Sequence, residues 1–123
     1  MARRRIDEAE GLAAVRAALG GDEDRATVAT ATRFLLEELA AIAPGNALEV
    51  RVPPYGATQC LPGPRHTRGT PPGVVETDAA TWIALAVGRL DWENAIADGT
   101  VIASGVRADL AGLLPLLRRA LPE

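Results

Sequence analysis

Apolar and polar residues alternate with a helical period over the first third of the chain. Residues 7–19 place apolar side chains at helical spacing, and two glycines follow them. A second helix is expected from the acidic residues at 22–24 to about Ala43, with an apolar stripe facing the core. Phe34 falls off that stripe, so it either packs against the first helix or serves a second surface.

Beyond the second helix the pattern changes to a period of two. Residues 48–52 alternate between apolar and charged side chains, which predicts a strand with one buried face. A Pro-Pro-Tyr-Gly turn follows, so residues 57–61 are expected to return as the hairpin partner. Residues 74–77 and 100–103 predict two more strands.

Two short helices are predicted between the last two strands. Thr77 or Asp78 can cap the first helix, which Gly88 closes. Asp91 opens the second helix, and Gly99 closes it.

A leucine stripe near the C-terminus predicts a final helix. It contains Leu110, Leu113, Leu114, Leu117 and Leu121. Proline inside the stripe, at position 115, costs about 3 kcal/mol in a helix interior and predicts a kink. Such a kink could gate a cavity under the helix, although a static kink is the preferred interpretation.

This order of elements predicts one α+β domain, with a mostly antiparallel twisted sheet of four to five strands covered by helices. Residues 1–123 would form a single unit. It would have a flexible basic tail at 1–6, N-terminal helices at 7–43, and the sheet, short helices and C-terminal helix at 47–121. The apolar fraction of 48% supports a core. Aromatic residues are scarce, so that core must consist mainly of Ala, Val, Leu and Ile.

Charge and composition exclude several classes of protein. A net charge of −3 argues against a general nucleic-acid binder, which normally has a basic face. No apolar run is long enough to span a membrane, and no signal peptide is recognisable, so stable membrane insertion is not expected. The single cysteine fits a reducing compartment. We therefore expect a cytoplasmic protein without a cofactor.

Residues 77–105 resemble the sterol carrier protein 2 family, in particular its small stand-alone actinobacterial members. The segments TDAATWIALAVGRL, DWENAIADG and TVIASG follow one another. They look like that family's strand, helix, short helix and strand, with a glycine at the end of each of the last three. The similarity covers roughly residues 25–121 and includes no catalytic motif. In that family a twisted sheet and its helices enclose an apolar tunnel for sterols, fatty acids or fatty acyl-CoA.

The resemblance implies non-enzymatic binding and transfer of a fatty acid, fatty acyl-CoA or sterol-like lipid in such a tunnel. The expected tunnel walls lie on the first strand, the short helices and the last helix: Leu48, Val50, Val52, Trp82, Leu85, Trp92, Ile96, Leu113 and Leu117. The same residues could instead fill a core that has no cavity, and the sequence leaves this alternative open.

The loop at 62–73 collects polar side chains between prolines and glycines. Arg65 and Arg68 can clamp one carboxylate or phosphate, because guanidinium matches those groups bidentately. His66 and Thr70 add further donors. We predict an anion-recognition loop at one mouth of the tunnel, with a solvated surface loop as the alternative.

Two other functions stay open at this point. An accessory or protein-interaction module with a filled cavity would present Phe34 and Leu36 in an exposed apolar patch. An enzyme or anion-binding domain for small acidic or thiol-conjugated molecules would bring Cys60 into one polar pocket with the loop residues. A catalytic Cys60–His66 pair is disfavoured, since a lone cysteine is usually a small buried hydrophobe. A metal site is disfavoured too, since it needs three or four ligands.

Overall fold

The computed structural model describes residues 5–63, 73–105 and 108–117. Four helices and four strands lie within these ranges. In chain order they are α1 (Glu8–Leu19), α2 (Arg25–Ile42), β1 (Leu48–Val52), β2 (Gly56–Cys60), β3 (Gly73–Thr77), α3 (Ala79–Val87), α4 (Trp92–Asp98) and β4 (Val101–Gly105). The α+β class predicted from the sequence is confirmed.

Each of the four helices begins behind an aspartate whose carboxylate accepts a hydrogen bond from a backbone N–H in the first turn. These caps are Asp7, Asp24, Asp78 and Asp91. At the other end, α3 and α4 stop at Gly88 and Gly99, whose φ angles of 86° and 79° are left-handed. Glycine adopts that conformation without steric cost, so both predicted helix ends are confirmed.

The sheet is mixed, with strand order β2-β1-β3-β4. The outer pairs β1–β2 and β3–β4 are antiparallel, as expected. The central pair is parallel, with Val50 opposite Val75. Two of the three pairs are antiparallel, so the sheet is mostly antiparallel as predicted, and it is mixed because β3 runs beside β1 in the same direction.

One face of this sheet lies against the helices. Along β1, Leu48, Val50 and Val52 are fully buried, whereas Glu49 and Arg51 face away and form an ion pair of 3.1 Å. The predicted alternation of this strand is confirmed. The helix layer contacts the buried face mainly through α2, which also packs against α1 and α3.

Phe34 settles one alternative that the sequence left open. Its side chain is 1% exposed, and a Cβ at Gly11 of α1 would collide with its ring. Phe34 therefore packs against the first helix. Leu36 is buried as well, at 3% exposure, so the exposed apolar patch expected for a protein-interaction module is wrong for these two residues.

The predicted C-terminal helix is wrong within the described residues 108–117. The segment forms a turn around residues 111–113 and then irregular backbone. Pro115 supplies the reason, since proline removes a helical N–H and disfavours helical geometry at Leu114 before it. Residues beyond 117, including Leu121, lie outside the described part of the chain.

In the described ranges no helix has the length and apolar character needed to cross a membrane. Helices α1 and α2 fall within the predicted segment 7–43.

Candidate ligand-binding cleft

A cleft of about 560 Å³ opens where the end of α3, the start of α4 and residues 111–115 meet. We call it the α3–α4 cleft. Its lining residues are Leu85, Gly88, Arg89, Leu90, Asp91, Trp92, Glu93, Asn94, Ala111, Leu114 and Pro115. Ligand sites commonly have volumes of about 300–1,000 Å³, so this space is large enough for an organic molecule.

The turn between α3 and α4 is fixed by backbone hydrogen bonds. The N–H groups of Arg89 and Leu90 both donate to the carbonyl of Ala84, at 2.9 and 3.3 Å. Asp91 then caps α4 through the N–H of Asn94. These hydrogen bonds place the Trp92 indole at the start of α4, beside the end of α3.

The third wall is held against α3 by its own backbone. The N–H groups of Leu116 and Leu117 donate to the carbonyl of Ala86, at 2.9 and 3.1 Å. Pro115 packs near Gly88, where a Cβ would lie 3.5 Å from the proline ring. The segment that fails to form a helix thus becomes a wall of the cleft.

The cleft combines an apolar wall with a charged rim. Leu85 and Trp92 are buried, Leu90 and Leu114 are half-buried, and all four line the space. Arg89, Asp91 and Glu93 supply two negative charges and one positive charge at its edge. The lining exposes slightly more polar than apolar surface, so it can contact both the apolar and the polar part of a ligand.

The structure brings together some of the predicted tunnel residues and separates others. Leu85 and Trp92 line the α3–α4 cleft. Ile96 lies on α4 and is 38% exposed. Leu113 and Leu117 are half-buried and pack against the core.

The other predicted tunnel residues lie in the hydrophobic core. Leu48, Val50 and Val52 on β1 and Trp82 on α3 have no exposed surface. The Trp82 indole N–H donates to the Thr32 carbonyl at 3.3 Å, which joins α3 to α2. A role of these residues in ligand binding stays a prediction.

Most of the lining residues were missing from the sequence-based set, among them the apolar residues Leu90 and Pro115. Leu90 lies between a helix-ending glycine and a helix-capping aspartate, and that position marks a turn rather than a pocket. Leu114 and Pro115 were assigned to a helix. Pro115 itself was the signal that could have found them, because a proline argues against a helix at residues 111–115.

The predicted anion-recognition loop lies outside the described residues. This applies to Arg65, His66, Arg68 and Thr70, which fall in the range 64–72. The loop therefore stays a prediction.

Cys60, the partner expected for that loop in an enzyme, is described and is fully buried. Burial raises the pKa of its thiol to about 11. A thiol in this state is a poor nucleophile, because thiolate is the reactive form. Among the described residues, no group of three or more His, Cys, Asp or Glu side chains is arranged to hold a metal ion.

Comparison with protein families gives a match to this chain. A family model described as "Bacterial SCP ortholog" matches residues 24–116, which is most of the chain and includes every element from α2 to β4. No curated protein matches the chain.

Proposed function

The chain belongs to the bacterial SCP ortholog family of sterol carrier protein-like domains, and from this premise we propose that it reversibly binds and transfers a lipid. The α3–α4 cleft is the proposed site. The lipid would be a fatty acid, a fatty acyl-CoA or a sterol-like molecule. The mechanism would be sequestration and release of the ligand, with no bond made or broken.

One observation carries the proposal: the α3–α4 cleft, of about 560 Å³, is walled by Leu85, Leu90, Trp92 and Leu114. Apolar surface at a cleft gains free energy when it is removed from water, at roughly 25 cal/mol per Å². An indole adds a large, rigid contact area at low entropic cost. These walls therefore favour an aliphatic or ring-shaped apolar ligand.

The free energies gained and lost on binding an acyl chain favour moderate affinity. An acyl chain of about 15 methylenes would contribute at most roughly 12 kcal/mol if it were buried in full. Association and ordering of the chain cost about 4–15 kcal/mol. The net gain is then at most about 8 kcal/mol, so we expect reversible binding no tighter than the micromolar range, which suits a carrier that has to release its ligand.

The rim suggests how a polar end would be placed. Among the described lining residues of the α3–α4 cleft, Arg89 is the one cation, and Asp91 and Glu93 oppose it. A carboxylate or phosphate would be directed to Arg89, because guanidinium binds these groups with paired hydrogen bonds. The predicted loop at 62–73 would add a second cationic group to this task.

Displacement of a fluorescent fatty-acyl probe tests the proposal. The test variant is Leu90→Glu, which puts a charge on the apolar wall at a half-buried position. The matched control is Ile42→Glu, which makes the same kind of change at a 46% exposed residue on α2, away from the cleft. We expect the test variant to weaken probe binding at least tenfold and the control to bind like the wild type.

An equal affinity of wild type and Leu90→Glu would contradict the assignment of the cleft. Absence of saturable binding across fatty acids, acyl-CoA and sterols would contradict lipid binding altogether. Urea denaturation of each variant confirms that it is folded.

A further inference from the structure

A second cleft lies between α2 and the β1–β2 hairpin and shares no lining residue with the proposed lipid site. Its volume is about 440 Å³. We call it the hairpin cleft. It is lined by Arg5, Ile6, Thr30, Arg33, Leu36, Glu37, Tyr55, Gly56, Ala57 and Thr58. Three separate parts of the chain therefore converge on it: the segment before α1, one face of α2, and the hairpin.

Arg33 is fixed in position at this cleft. Its Nε–H donates to the carbonyl of Tyr55 at 2.7 Å. That carbonyl belongs to a closed turn, since the Tyr55 N–H donates to Val52 at 2.9 Å. One of the five N–H donors of the guanidinium is thereby used, and its two terminal nitrogens carry the other four. The side chain is held in place before any ligand arrives, so less entropy is lost on binding.

Glu37 is the one carboxylate among the described lining residues of this cleft, and it is already hydrogen-bonded to backbone. Glu37 accepts hydrogen bonds on Oε1 from the backbone N–H groups of Arg5 and Ile6, each at 3.2 Å. These bonds attach the N-terminal segment to α2. Among the described residues, neither Arg5 nor Arg33 forms an ion pair. Two guanidinium groups thus line a cleft with one carboxylate, on a protein whose net charge is −3.

The floor of the cleft is small and apolar. Leu36 and Ile6 contribute aliphatic surface, and Gly56 contributes no side chain. A Cβ at Gly56 would lie 3.4 Å from Leu36 and 3.7 Å from the Arg33 stem, so a larger residue there would reduce the space. Thr30, Tyr55 and Thr58 add polar groups around this floor.

We propose that the hairpin cleft binds a small amphipathic anion. The guanidinium groups of Arg33 and Arg5 bind its carboxylate or phosphate, and its short apolar part contacts Leu36 and Ile6. Guanidinium recognises either anion through parallel N–H···O bonds, so both chemistries are served by the same residues. The volume of about 440 Å³ accommodates a short ligand of this kind.

A titration of the full ¹⁵N-labelled chain with hexanoate, hexyl phosphate and 1-hexanol tests this site. We expect saturable shifts of the amide signals of residues 56–58 with an anion and none with the alcohol. The tighter of the two anions identifies the carboxylate or the phosphate as the preferred group. Arg33→Gln should weaken binding at least tenfold, and Arg5→Gln should weaken it several-fold.

The matched control is Arg25→Gln, since Arg25 is an exposed arginine on the same helix and lines neither cleft. It should bind like the wild type. Equal binding of 1-hexanol, or unchanged affinity of both Arg33→Gln and Arg5→Gln with a folded spectrum, would overturn the proposal. Shifts around Trp92 without shifts at 56–58 would overturn it too, and would place the anion in the α3–α4 cleft.

Discussion

At Gly11 the backbone of α1 comes so close to the Phe34 ring that no side chain fits between them. In the sequence, Gly11 only weakens a helix and Phe34 only lies off a stripe. Neither pattern indicates the other residue, because their contact depends on how α1 and α2 cross. From the sequence, Phe34 could either pack against the first helix or serve a second surface. The packing of α1 on α2 decides for the first alternative.

We expect Gly11→Ala to lower the free energy of unfolding by about 1 kcal/mol. Alanine is the better helix former by about 1 kcal/mol, but overpacking a close contact costs about 1–3 kcal/mol. Urea denaturation measures the difference. Gly112→Ala is the control, because a Cβ there has no neighbour within 4 Å. A Gly11→Ala protein more stable than the wild type would contradict the close contact.

Cys60 should be almost inert in the folded protein. Its thiol is fully buried, and burial raises its pKa from 9.0 to about 11. The thiolate is the reactive form, so this shift alone slows the reaction with a disulfide reagent about 100-fold at pH 8. Reaction with Ellman's reagent in buffer and in 8 M urea measures the effect. Equal rates in both solutions would contradict the buried position.

The same pKa shift gives the sign of a pH effect on stability. The pKa of the Cys60 thiol is higher in the folded than in the unfolded protein, so folding favours the protonated thiol. The contribution of Cys60 to the free energy of unfolding is therefore complete below about pH 9 and is lost as the pH rises towards 11. The difference in free energy of unfolding between the wild type and Cys60→Ala should therefore be constant up to pH 8. It should decrease above pH 9.

The helices that have a capping residue at each end in the sequence were predicted well. Helices α3 and α4 have an aspartate before them and a glycine after them, and both boundaries follow from local chemistry. The final helix was predicted from leucine spacing alone. Pro115 outweighs that spacing, because a helix needs every interior N–H whereas an apolar stripe can also be buried by irregular chain.

Asp78, the N-cap of α3, should stabilise the protein. Asp78 accepts hydrogen bonds from the Thr81 N–H at 3.0 Å and from the Thr81 hydroxyl at 2.7 Å. Asp78→Ala should lower the free energy of unfolding by about 1 kcal/mol at pH 7. Asp78→Asn should lower it less, because asparagine also caps helices.

Acid should reduce this difference. Desolvation acts to raise the pKa of Asp78, but the hydrogen bonds from Thr81 outweigh it and hold the pKa below its ordinary value of 3.8. The stabilisation is then present above about pH 3.8 and lost as the pH falls through the folded pKa. Urea denaturation at pH 7 and pH 3 measures it. A wild-type advantage over Asp78→Ala that persists undiminished at pH 3 would contradict this role.

For the whole molecule, the sequence predicted the class of fold but not the order of its strands. Alternation in β1 marks a buried face, yet it carries no information on which strand lies beside β1. The α3–α4 cleft is non-local in the same way, since Leu85 and Trp92 were predicted correctly whereas the wall of residues 111–115 was predicted as a helix.

The two tryptophans offer one internal comparison for the central claim that a lipid binds in the α3–α4 cleft. Trp92 lines the cleft, whereas Trp82 is fully buried with its indole N–H bonded to the Thr32 carbonyl. Titration with a long-chain fatty acid, followed through the two indole N–H signals by NMR, tests the claim in a single sample. We expect a saturable shift of the Trp92 indole signal, whereas the Trp82 indole signal should stay nearly unchanged. A bound fatty acid that leaves Trp92 unmoved, or that shifts Trp82 instead, would contradict it.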